Sequence, residues 1–96
     1  MEDNKLSYRE QTTIITEVSD NDITNSLTDE FGVIYSADRK RLLMAPKTIT
    51  EYTVLEGTEI ICDRAFEECD SLQKIIVPKG VKTIGSEAFS GCSSLE

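Results

Sequence analysis

Residues Leu72 to Leu95 read LQKIIVPKGVKTIGSEAFSGCSSL, and the stretch before it, Ile49 to Leu72, reads ITEYTVLEGTEIICDRAFEECDSL. Sliding residues 49–73 over residues 72–96, an offset of 23, gives eight identities in 25 pairs. They are Val54/Val77, Gly57/Gly80, Ile61/Ile84, Ala65/Ala88, Phe66/Phe89, Cys69/Cys92, Ser71/Ser94 and Leu72/Leu95. Average residue usage would give about one or two. The matched positions are mostly apolar, Gly or Cys, and the unmatched ones mostly polar. A repeat with a shared core and a freely varying surface has this signature.

Each unit divides into three parts. Ile49-x-x-Tyr52-x-Val54 and Leu72-x-x-Ile75-x-Val77 are short strands, ended by the turn residues Gly57, Pro78 and Gly80. Ile60-Ile61 and Val81 to Ile84 then return an apolar side chain to the core. Asp63 to Cys69 and Ser86 to Cys92 read as one helical or 3₁₀ turn, with Asp63 and Ser86 at N-cap positions. One strand and one turn in 23 residues make a solenoid rung. Parallel strands about 4.8 Å apart would stack Phe66 on Phe89 and Cys69 on Cys92.

The run Leu72-x-x-Ile75-x-Val77-Pro78-x-x-Val81-x-x-Ile84-Gly85-x-x-Ala88-Phe89-x-x-Cys92-x-x-Leu95 resembles the BspA-like (Treponema-type) leucine-rich repeat at every pattern position. The first unit departs from that pattern at Leu55 for Pro, Thr58 for Val and Cys62 for Gly. Residues 32–46 are similar to the hairpin that often precedes such repeats, with Asp38-Arg39 where the turn usually carries Asp-Gly. The resemblance implies an α/β fold: a right-handed leucine-rich-repeat solenoid fragment with short parallel strands and one helical turn per repeat, capped N-terminally by a short helix and a β-hairpin.

Upstream of the repeats, Ser19-Asp20-Asn21-Asp22 with Ile23, Leu27 and Phe31, then Gly32, reads as a short amphipathic helix. Ser19 and Asp22 form a capping box, and Gly32 is a C′ stop. Val33-Ile34-Tyr35 and Leu42-Leu43-Met44 flank a charged turn and read as a hairpin. Helix and hairpin together would cover the open edge of the first rung, as a solenoid requires for solubility. Residues 1–12 are polar, unpatterned and expected to be disordered, and Ile14, Ile15 and Val18 are expected to add an edge strand. The expected organisation is a polar, partly disordered segment over 1–18, a helix-plus-hairpin cap over 19–47, and two repeats over 48–96, truncated at the start of a third.

Composition narrows the chemistry. Ninety-six residues make at most one small domain. No histidine occurs, which excludes His-based acid–base catalysis, Ser-His and Cys-His nucleophiles and most zinc sites. A net charge of −8 argues against the counterion-release binding of nucleic acids and anionic membranes. No apolar run reaches the roughly 20 residues that a membrane helix needs, so no membrane insertion is expected. No basic and apolar leader follows Met1, so no uncleaved signal peptide is expected. The one basic surplus, Arg39-Lys40-Arg41 after Asp38, reads as a solvated turn and not a phosphate contact.

Cys62, Cys69 and Cys92 lack the spacing of a metal site. Stacked rungs put Cys69 and Cys92 close enough for a disulfide by Cα distance, whereas parallel Cβ vectors stay too far apart. A ladder of buried thiols is the favoured reading and a bridge stays open. Asp29-Glu30 and Glu67-Glu68 lack EF-hand spacing and read as solvated faces. No catalytic residue, metal or cofactor is expected.

The residues free to act are those between core positions. Thr50/Gln73, Glu51/Lys74 and Thr53/Ile76 are expected as short exposed ladders on one sheet face, with Glu51 and Lys74 paired. Phe66, Cys69, Phe89 and Cys92 are expected in the core. Two strands offer less than the ~800 Å² per partner of a standard interface. The resemblance implies a non-enzymatic module binding a protein or glycan partner, monomeric, in the N-terminal part of a bacterial surface or secreted adhesin-like protein. A purely structural cap, or a regulatory or targeting segment attached to an enzyme, are the alternatives, and a cytoplasmic setting stays open.

Overall fold

The structure, a computed structural model, describes residues 15–95. Its elements are helix α1 (Asp20–Thr24) and strands β1 (Leu27–Thr28), β2 (Ile34–Tyr35), β3 (Arg41–Met44), β4 (Glu51–Thr53), β5 (Ile60–Ile61), β6 (Lys74–Ile76) and β7 (Thr83–Ile84). They form two sheets: five strands in the order β1-β2-β3-β5-β7, and the pair β4-β6.

The 23-residue period is the strand register itself. Strands β4 and β6 pair in parallel as Glu51↔Lys74, Tyr52↔Ile75 and Thr53↔Ile76, and β5 and β7 as Ile60↔Thr83 and Ile61↔Ile84. Ile60-Ile61 and its counterpart are therefore strands of a second sheet. Their core-facing member in the first rung, Ile61, is fully buried. Between the sheets lies a core of Tyr52, Val54, Ile61, Ala65, Phe66, Cys69 and Leu72, joined by Val33, Tyr35, Leu42 and Ala45 from the cap. Each fully buried large aliphatic or aromatic side chain contributes roughly 1.5–3 kcal/mol. Phe66 stacks on Phe89 with ring centroids 5.2 Å apart and planes 13° from parallel. Phe66 is fully buried, whereas Phe89 is half-buried.

The expected helical turn is absent. Residues 63–69 and 86–92 are successive turns in which alternate N–H groups serve different purposes. Those of Ala65, Glu67 and Cys69 donate to carbonyls three residues back, of Cys62, Arg64 and Phe66. Those of Arg64, Phe66 and Glu68 donate across to Ser86, Ala88 and Ser90 at 3.0, 2.7 and 2.7 Å. A helix points every N–H along its own axis and cannot share them with a neighbouring rung. Left-handed backbone at Arg64 (φ 58°) and Glu68 (φ 61°) produces the alternation. Asp63 and Ser86 are accordingly not helix caps. The Asp63 carboxylate accepts the Ser86 N–H at 2.8 Å and ties one rung to the next.

In the cap, α1 has the predicted capping box: Asp22 N–H donates to Ser19 Oγ (3.1 Å) and Ser19 N–H to Asp22 Oδ2 (3.0 Å). It stops at Thr24, with Asn25 as its C-cap and not Gly32. Thr24 Oγ1, Asn25 Nδ2 and Ser26 Oγ each donate to a carbonyl one turn back, at Asp20, Asn21 and Ile23. Such side-chain bonds compete with helix propagation. Leu27 then enters a strand, and Ile23, Leu27 and Phe31 are all exposed instead of forming one buried helix face.

The β2–β3 hairpin forms as predicted, with Arg39 (φ 64°) at its tip. It extends the second sheet, since β3 pairs in parallel with β5 (Arg41↔Ile60, Leu42↔Ile61). The charged turn is not simply solvated. Arg41 bonds Asp22 at 3.0 Å and the Glu17 carbonyl at 2.7 Å, with its side chain only 16% exposed. Residues 15–18 form no strand, although the Asp63 N–H donates to the Thr16 carbonyl at 2.8 Å. Ile14 and the expected disorder over 1–12 lie outside the described residues.

Candidate functional site

Strand alternation sorts β4 and β6 into an inner and an outer row. Tyr52 is buried and Ile75 half-buried, while Glu51, Thr53, Lys74 and Ile76 are exposed. Tyr, Thr and Ile suit a pleated, half-buried surface, which is why so short a segment holds strand geometry. The outer face is therefore two residues by two: Glu51 beside Lys74, and Thr53 beside Ile76. Thr50 and Gln73 are exposed but sit just before the strands, where the Gln73 N–H donates to the Thr50 carbonyl at 2.7 Å. Four of the six expected ladder residues thus form the face. Glu51 and Lys74 are register partners but make no ion pair with each other. The ion pair between rungs lies elsewhere, from Arg64 to Glu87 at 2.9 Å.

Beneath the face, a chain of hydrogen bonds fastens the cap. Tyr52 Oη donates to Asp29 Oδ2, so the 2.6 Å contact between the two phenols is a donation from Tyr35 to Tyr52. The Leu55 N–H in turn donates to Tyr35 Oη at 3.2 Å. Burial, chiefly, pushes both phenols above their ordinary range, and for Tyr52 the Asp29 carboxylate adds to the effect. Asp29, expected on a solvated face, also accepts the N–H groups of Phe31 and Val33, both at 2.9 Å. That turn holds Phe31 edge-on to Tyr52, with ring centroids 6.0 Å apart and planes at 80°. A cleft of about 260 Å³ is lined by Phe31, Glu51, Tyr52 and Thr53. Sequence reasoning missed Phe31 by placing it on a helix. The only signal was Asp29 two residues before it, a side chain that favours local turns.

The three cysteines are free thiols, and burial pushes each above its ordinary range. Cys69 Sγ donates to the Pro46 carbonyl at 3.5 Å and Cys92 Sγ to the Phe66 carbonyl at 3.0 Å, as a thiol ladder would. Among the described residues no cluster of His, Cys, Asp or Glu comes together as a metal ion would need. No helix among them is long and apolar enough to cross a membrane.

This architecture has known counterparts. The sequence profile of the BspA type leucine-rich repeat region, written for six copies, matches residues 43–96, more than half the chain. The chain belongs to this family. Among solved structures, a leucine-rich repeat protein from Eubacterium ventriosum superposes with a TM-score of 0.66 at 23% identity. The alignment covers 82% of this chain and 27% of that one, so the chain spans little more than a quarter of its relative's length. At that identity the likeness speaks for the fold alone. A search among curated proteins found no match. Membership of the BspA-type family makes this chain part of a leucine-rich repeat region.

Proposed function

We propose that the chain is the capped N-terminal part of a non-enzymatic binding module, a right-handed solenoid in a bacterial surface or secreted adhesin-like protein. Its partner would be a protein or a glycan. The observation that carries this reading is the outer face of β4 and β6, where Glu51, Thr53, Lys74 and Ile76 stand exposed in strict register. Ile76 is 50% exposed, an aliphatic side chain in the open among polar neighbours. The face is small, so further rungs would have to extend it to the ~800 Å² per partner of a standard interface.

A second reading is favoured by the buried chain Leu55–Tyr35–Tyr52–Asp29: a structural cap whose task is to seal the first rung. The combined substitution Glu51→Ala, Lys74→Ala and Ile76→Ser separates the two. If the face binds, capture of surface proteins or arrayed glycans falls while the melting temperature hardly moves, since exposed polar contacts contribute only ~0–1 kcal/mol. Unchanged capture would leave the cap reading.

A further inference from the structure

The two sheets are finished differently at their N-terminal edges. In the five-stranded sheet, β5 is preceded by three cap strands, whereas among the described residues no strand precedes β4. The strand register fixes which atoms of β4 are left over. The Thr50 carbonyl and the Val54 N–H bond to the β6 side, to Gln73 N and Ile76 O. In a parallel pair, alternate residues direct both main-chain groups to the same neighbour. Thr50, Tyr52 and Val54 thus face β6, and the N–H and C=O of Glu51 and Thr53 face the edge that no strand among the described residues covers.

We infer that this edge is a strand-addition site for an extended peptide with a basic residue flanked by aliphatic ones. Three features select that occupant. Four main-chain groups at alternate positions match the hydrogen-bonding row of an incoming strand. The cleft of about 260 Å³ at the edge, between Phe31 and Glu51–Thr53, has an aromatic wall, and Phe31 is 59% exposed. Finally, Glu51 has an exposed carboxylate with no ion-pair partner among the described residues, despite Lys74 beside it. A cation on the incoming strand opposite Glu51 would continue the alternation of charge already set by Glu51 and Lys74, a favourable cross-strand pairing. Residues 15–31 carry five acids and no base, a net −5, which steers a basic segment to this end.

This site shares the Glu51 carboxylate with the side-chain face of β4 and β6, but the main chain of Glu51 and Thr53 carries it, and the N-methylated peptides and amide signals test it separately from that face. The test is a titration of the 15N-labelled chain with the peptide acetyl-Thr-Val-Arg-Val-Arg-Val-Thr-amide, and with the same peptide N-methylated at alternate residues. Addition of a strand shifts the Glu51 and Thr53 amide signals and slows their exchange. One set of N-methyl groups weakens binding by roughly tenfold or more, because each removes a donor. Phe31→Ala and Glu51→Lys each weaken it several-fold. Shifts confined to Lys74–Ile76, equal binding of both N-methylated peptides, or no shift at millimolar peptide would overturn the proposal.

Discussion

The main-chain N–H of Leu55 donates to the phenolic oxygen of Tyr35, twenty residues earlier, at 3.2 Å. Leu55 is one of the three positions where the first rung departs from the repeat pattern that the second follows, with Pro78 there. Proline has no N–H to give. The other two departures also meet the cap. Thr58, opposite Val81 in the repeat, is fully buried near Tyr35, and its hydroxyl makes no hydrogen bond among the described residues. Cys62, opposite Gly85, is fully buried beside Arg41. The first rung deviates where its neighbour is a hairpin instead of another rung.

Leu55→Pro should therefore destabilise the chain by about 1 kcal/mol or more, through loss of this hydrogen bond from a buried acceptor. In the Tyr35→Phe background the same substitution should cost less, since the acceptor has gone. Thermal melts of the two single variants and the double variant measure the coupling. Strict additivity would show that the bond contributes nothing.

Alkaline stability depends on the phenols and thiols. Tyr35, Tyr52, Cys62, Cys69 and Cys92 all have folded-state values raised, first of all by burial. An acid whose folded pKa is raised keeps its proton in the native state while the unfolded chain releases it. Stability is thus fully present below the unfolded values, near 9 for Cys and 10 for Tyr, and falls as pH rises beyond them. Denaturant melts from pH 8 to 11 should show that fall, with a shallower slope above pH 10 in Tyr52→Phe. A flat profile would contradict the buried, neutral state of these groups.

The rungs were legible because the shared core positions are also the register partners, so Phe66 over Phe89 and Tyr52 beside Ile75 follow from one offset. The turns were not. Arg64, Glu68 and Glu87 hold left-handed backbone, yet only Gly91 of the four such positions carries the residue that announces it. The capping box of α1 could be read locally, but its end could not, because Thr24, Asn25 and Ser26 act through side-chain bonds and not through a glycine. Asp29, Tyr35 and Tyr52 lie 6 and 17 residues apart along the chain, with no periodicity to link them. Their contact depends on where the hairpin docks. The outer face was legible in its alternation, and the absent Glu51–Lys74 ion pair was not, since register alone does not hold two flexible side chains together.

Thiol reactivity should follow position in the ladder. Cys62 and Cys69 are fully buried, whereas Cys92 in the second rung is half-buried. Burial keeps all three protonated, and only a thiolate reacts readily. Mass spectrometry during labelling with a maleimide at neutral pH should show one slow modification, at Cys92, with the other two delayed until denaturant is added. Modification of Cys69 before Cys92 would mean that the first rung opens before the second.

The glycines separate two physical costs. Gly57 has φ 95°, and a Cβ there would meet nothing within 4 Å, so Gly57→Ala should cost about 1–2 kcal/mol from left-handed backbone alone. Gly85 has no such backbone, but a Cβ there would lie 2.6 Å from Asp63 N and 2.9 Å from Asp63 Cα. Those are main-chain atoms of the preceding rung, fixed in place by the Gly85 N–H bond to the Ile61 carbonyl at 2.7 Å. Gly85→Ala should therefore push the rungs apart and cost about 1–3 kcal/mol or more from overpacking. Asparagine, which tolerates left-handed backbone, distinguishes the two costs. Gly57→Asn should recover part of the stability lost in Gly57→Ala, whereas Gly85→Asn should be at least as damaging as Gly85→Ala. Urea melts of the four variants give the comparison, and a Gly85→Ala variant as stable as the parent chain would refute the close stacking of Gly85 on Asp63.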